Sequence, residues 1–137
     1  MSRRTLLAIF AAAALAACTR ADAAIEPAWG KQPCAHCAMV LSEARFGAQL
    51  LTSTGDRFFF DDAGCMVLFL EEHPGAHRAW VHDAEGARWL DAEKARYASG
   101  AATPMDFGFE AREGGRFDWA EVRARVTAAK SQRRSGS

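Results

Sequence analysis

The sequence predicts an α+β fold of two small ββαβ-like halves, mostly antiparallel sheets each with one helix. Three features carry that expectation. Two short apolar runs, Phe46–Leu51 and Arg57–Phe60, flank a Thr-Ser-Thr-Gly-Asp turn, the signature of a β-hairpin. The run Gly64–Leu70 is apolar all round and follows the capping pair Asp61-Asp62, which describes a buried helix. Near the end, Asp118 and Glu121 form a capping box before a stripe of Trp119, Val122, Val126 and Ala129, the pattern of an amphipathic helix.

Taken in order, the chain starts with a short basic segment, Met1–Arg4, and an apolar run from Leu6 to Ala17. A membrane span needs about 20 apolar residues, so this shorter run fits the core of a secretory signal. It ends Leu15-Ala16-Ala17-Cys18. Small residues before a cysteine at this place match a bacterial lipobox, which predicts cleavage after residue 17 and lipid attachment at Cys18. The alternative is ordinary cleavage near Ala23-Ala24, which discards Cys18. Thr19, where an aspartate retains such lipoproteins at the inner membrane, favours the outer membrane. The divisions expected are a signal peptide (1–17), a lipid-anchored flexible tether (18–33), a domain (34–130, halves about 34–83 and 84–130) and a disordered basic tail (131–137).

The chain balances 17 basic against 17 acidic residues, and loss of Arg3 and Arg4 with the signal leaves 15 against 17. No basic stripe marks a nucleic-acid partner. Lipidation consumes the Cys18 thiol and leaves Cys34, Cys37 and Cys65. An odd number of thiols in an oxidising compartment leaves at least one without an intramolecular partner.

After the hairpin, the first helix stops at His73-Pro74-Gly75, and Ala79–His82 supplies a third strand, giving β-β-α-β. The second half is thinner. Ala87–Leu90 and Ala95–Ala98 are short strand candidates, and Ser99–Met105 is a small-residue loop with methionine at its end. Phe107–Ala111 alternates, Gly114-Gly115 turns the chain, Arg116-Phe117 pairs back, and the last helix follows.

The chemistry concentrates in residues 34–39, CAHCAM. Covalent haem attachment needs Cys-x-x-Cys-His, and Ala38 stands where that histidine belongs. Structural zinc takes four Cys or His ligands. Cys34, His36, Cys37 and Cys65 reach that number, but His36 and Cys37 are adjacent and no second Cys-x-x-Cys exists. A Cys34–Cys37 disulfide and a catalytic dithiol remain open; dithiol enzymes set the first thiolate at a helix N-terminus, and little structure is expected before Cys34. The thioether of Met39 points elsewhere, because methionine sulfur binds zinc poorly and Cu(I) well. Met105, after Pro104 in a loop with no apolar period, is a second thioether candidate. Met66 lies inside GCMVLFL and is expected in the core, as is the thiol of Cys65.

In this order, the LAAC lipobox, CAHCAM, RFGAQLLTSTGDRFFFDDAGCMVLFLEEH, WVHD, RWLDAEKARYASG and TPM resemble the NosL family of accessory lipoproteins of nitrous-oxide reductase maturation. The resemblance implies a periplasmic, lipid-anchored Cu(I) chaperone that passes copper to the machinery building the reductase's copper centres, with two small ββαβ-type halves. It also implies a site of one cysteine, one methionine and a nitrogen or oxygen ligand. Carried over, that makes Cys37 and Met105 the principal pair, with Met39, His36 and Cys34 as further candidates. Three residues depart from the family pattern: Ala38 and Asp106 stand where glycine is usual, and Cys34 is an added thiol that not every member has, able to join the site or to close it by oxidation with Cys37.

The remaining polar residues have plain roles. Asp61 and Asp62 are helix caps, and His73, His77 and His82 are scattered. No nucleophile–histidine–acid set or phosphate-binding loop occurs, so no enzyme activity is expected. The rival expectation is a periplasmic thiol–disulfide oxidoreductase using Cys34 and Cys37.

Overall fold

The computed structural model describes residues 22–136; the expected signal peptide (1–17) and the expected lipidation site Cys18 lie outside the described residues. A 3-10 turn, Ala44–Phe46, leads into strand β1, Ala48–Thr52, which pairs antiparallel with β2, Arg57–Phe60. Helix α1, Ala63–Glu72, follows at once, and β3, Ala76–His82, returns along the other side of β1. Strand β4, Trp89–Asp91, pairs with β3, so the sheet order is β2-β1-β3-β4. A second antiparallel sheet joins β5, Tyr97–Ser99, to β6, Phe109–Ala111. Helix α2, Trp119–Ser135, packs against α1 and closes one core over both sheets.

The α+β class and its two antiparallel sheets stand as the sequence predicts. Asp62 caps α1 by accepting a hydrogen bond from the N–H of Gly64 at 2.8 Å. The capping box of α2 forms in both directions between Asp118 and Glu121. Trp119, Val122 and Val126 are buried along its stripe. Helix α1 is apolar all round because it is covered on all sides: Ala63 through Phe69 are buried.

Three details differ from the sequence reading. Strand β4 extends the first sheet, because Trp80, Val81 and His82 on β3 offer it a free edge. The expected disordered tail is helical through Ser135, since α2 continues past the core and Arg133 reaches across the Phe107 ring. The expected flexible tether is pinned from residue 23 onward. The amide of Gln49, fully buried on β1, accepts from the N–H of Ile25 and donates to its carbonyl. Arg57 donates to the Ala23 carbonyl, and Glu26 accepts from the indoles of both Trp29 and Trp89. The segment lies against Gln49, and the guanidinium groups of Arg57 and Arg78 lie over the ring of its buried cross-strand partner Trp80.

Candidate metal centre

The CAHCAM segment is a tight turn clasped between bridging residues Pro33 and Val40. Cys34 N–H donates to the Met39 carbonyl at 2.7 Å, and Ala38 N–H donates to the Cys34 carbonyl at 3.0 Å. Closing the turn requires a left-handed backbone at Ala38, with φ 63. The Ala35 N–H donates to the Phe59 carbonyl at 2.8 Å, which fixes the turn to the end of β2. Immediately after β2 come Asp61, Asp62 and the first turn of α1, which carries Cys65.

Three thiols converge there. The Sγ atoms of Cys34, Cys37 and Cys65 all lie within 4.8 Å of one another, and all three are free cysteines. Cys34 and Cys65 are buried, while Cys37 is half-buried and marks the side open to solvent.

The sulfurs differ in character. Cys34 is pulled down to about 5, first by the hydrogen bond that the Cys65 thiol donates to it and then, against its burial, by the backbone N–H groups of Cys37, Asp61 and His36. A thiolate ringed by N–H dipoles is ready to bind a cation without first losing a proton. Cys65 is pushed far up, because it is the donor to Cys34, is buried, and faces two other sulfurs. Burial raises Cys37, partly offset by the N–H of Met39.

A loop from the second half docks on the same end of α1. The Asp62 carboxylate, besides capping the helix, accepts from the Met105 N–H at 3.2 Å, the Thr103 hydroxyl and the Phe107 N–H. Phe107 lies so close over α1 that a Cβ at Gly64 would sit 2.2 Å from its ring. The crossing needs another left-handed residue, Asp106, with φ 58. Burial raises the Asp62 carboxyl above its ordinary value, against the pull of those donors.

Among the expected site residues, the structure thus gathers Cys34 and Cys37. It adds Cys65, which the sequence reading assigned to core packing, and ties Met105 by its backbone to the cap beside Cys65. His36 is outside the thiol group, and its N–H rather than its imidazole serves Cys34. Met39 also contributes its backbone, to Cys37, and its side chain is 53% exposed. Cys65 could have been found from its place three residues after an N-cap that directly follows the hairpin.

The arrangement suits a soft ion better than zinc or a dithiol reaction. Zinc wants a fourth Cys or His, and among the described residues the group holds three. Dithiol enzymes place their first cysteine at a helix N-terminus; Cys34 lies in a turn, and the thiol on a first helical turn is Cys65.

No family model and no curated protein matches this chain. Among solved structures, the crystal structure of the copper chaperone NosL from Shewanella denitrificans matches it with a TM-score of 0.57 at 15% identity, over 77% of this chain and 87% of that one. The chain therefore has a NosL-like fold.

Proposed function

We propose that this protein is a Cu(I)-binding metallochaperone. The observation that carries the reading is the convergence of Cys34, Cys37 and Cys65 around a turn whose N–H groups already stabilise a thiolate. Thiolate sulfur selects thiophilic ions, Cu(I) among them. The likeness in fold to a copper chaperone supports the same cargo. Cys37 is the shared, approachable ligand, with Cys34 behind it. The docked loop offers the Met105 thioether, and Met39 and His36 flank the opening.

The LAAC motif supports a periplasmic chaperone anchored through Cys18. Its client is a copper enzyme under maturation, and the family resemblance of the sequence favours nitrous-oxide reductase. A partner takes the ion by ligand exchange at the Cys37 side.

The test is an anaerobic Cu(I) competition titration of the reduced protein, with Zn(II) as control and Met105→Ala alongside. Tight one-to-one Cu(I) binding with weak zinc binding supports the reading. Absence of Cu(I) binding overturns it. A Met105→Ala variant with wild-type affinity removes the thioether from the site and leaves the thiols as the holders.

A further inference from the structure

We propose that Cys65 is itself a copper ligand, so that Cu(I) is held in a triangle of three cysteine sulfurs that only Cys37 opens to solvent. The inference rests on the copper reading above and adds a residue that packing alone assigned to the core.

Three observations converge on it. Cys65 shares one 4.8 Å group with Cys34 and Cys37, and no carboxylate or imidazole among the described residues joins them. An all-sulfur, three-donor set matches a low-coordinate soft monovalent ion. The Cys65 side chain is fully buried, yet its sulfur sits with the other two sulfurs rather than alone among hydrocarbon. The three ligands also come from two elements, so binding ties the turn to α1 at the point where the Met105 loop is docked.

Burial then sets the order of events. With Cys34 at 3% and Cys65 at 0% exposure, an incoming ligand reaches the ion only past Cys37. On loading, the Cys37 and Cys65 thiols each give up a proton to solvent as their Cu–S bonds form, while Cys34 binds as the thiolate it already is. On release, a partner thiolate forms a new Cu–S bond, the bond to Cys37 breaks, and Cys37 takes the proton that the partner thiol lost. Cys65 then leaves the ion and takes a proton in the same way, and Cys34 leaves as a thiolate. Copper stays Cu(I) throughout and no electron moves.

The experiment loads the reduced protein with one equivalent of isotopically enriched Ag(I), a diamagnetic stand-in for Cu(I), and correlates the silver nucleus with the β-protons of its cysteine ligands. Correlations to Cys34, Cys37 and Cys65 together are expected. Correlations to Cys34 and Cys37 without Cys65 overturn this inference and leave the copper reading standing. Failure to bind either Ag(I) or Cu(I) overturns both. In parallel, Cu(I) release from Cys65→Ala to a chromophoric chelator is expected to be about tenfold or more faster than from wild type. An unchanged rate in a variant with wild-type circular dichroism makes Cys65 a packing residue.

Discussion

The Asp62 carboxylate accepts a hydrogen bond from the backbone N–H of Met105 at 3.2 Å while it caps the helix that carries Cys65. One side chain therefore sets the position of a candidate thioether loop relative to a candidate thiol. Asp62→Ala removes the cap and leaves the Met105 and Phe107 N–H groups without their acceptor. A lost N-cap costs about 1 kcal/mol and each of the two part-buried orphan donors about 1 kcal/mol, the low end of the range for buried groups, so the variant is expected to lose roughly 3 kcal/mol in chemical denaturation. Hydrogen exchange at the Met105 amide should rise well beyond the global change. Exchange that rises only in step with global stability would show that other contacts hold the loop.

Ala38 and Asp106 occupy the two positions where the family resemblance leads one to expect glycine. Both have left-handed backbones, φ 63 and φ 58. A Cβ in this region is strained by about 1–2 kcal/mol, less for aspartate, and glycine relieves that strain at some cost in chain entropy. Ala38→Gly is expected to stabilise the apo protein by about 0.5–1 kcal/mol, and Asp106→Gly by less. Thermal melts of the two variants and their double decide this. Destabilisation by Ala38→Gly would mean that the Ala38 methyl makes contacts worth more than the strain.

Ligand candidates of the same sequence motif should separate by burial. Cys37 lies in the thiol group, whereas Met39 projects with 53% of its surface exposed. Cys37→Ser is expected to lower Cu(I) affinity by about 100-fold or more, beyond the effect of losing an outer partner of a metal ligand. Met39→Ala should stay within about threefold of wild type, below 1 kcal/mol. Equal losses in both variants would place the Met39 thioether on the ion.

Elements with a strong local signal were legible in the sequence. The hairpin, both helix caps, the stop at His73-Pro74-Gly75 and the stripe on α2 depend on neighbours a few residues apart. What remained hidden depends on tertiary packing. Cys65 looks like one more apolar position in GCMVLFL, and it is the bonds from Ala35 to Phe59 and from Ser42 to Asp61 that bring the CAHC turn to it. Trp89–Asp91 gave no sign of which sheet it would extend, because three residues can pair with any free edge. The segment after residue 22 lacks periodicity, so nothing local revealed its docking on Gln49.

That docking is testable. The Gln49 amide is fully buried and satisfied by Ile25 on both its oxygen and nitrogen, with Arg57 also donating to the oxygen at 2.7 Å. Gln49→Ala removes both bonds to the backbone of the exposed Ile25, at about 0.5–1.5 kcal/mol each. The expected result is proteolytic cleavage within residues 22–33 at much lower protease concentration than wild type, with Cu(I) affinity unchanged. Equal resistance would show that the tryptophan contacts to Glu26 hold the segment without Gln49.

The last expectation concerns pH, through Cys34. Its folded value lies near 5, against an ordinary thiol value of 9.0. The unfolded chain therefore binds more protons than the folded one between these limits, and stability rises with pH across that window. The contribution is complete above the unfolded value and is lost as pH falls through about 5. Cys37 and Cys65 are shifted upward, so they erode stability only at pH above the ordinary thiol range. Asp62 is also shifted upward and costs stability as pH rises through and just above the ordinary carboxylate range. Between about pH 6 and 8 the Cys34 thiolate should therefore dominate among these four groups, on the order of 1 kcal/mol for each pH unit. Denaturation of reduced apo protein is expected to show stability climbing through that interval, and Cys34→Ser should flatten the climb. The same slope in wild type and Cys34→Ser would locate the stabilised thiolate on another sulfur of the triangle.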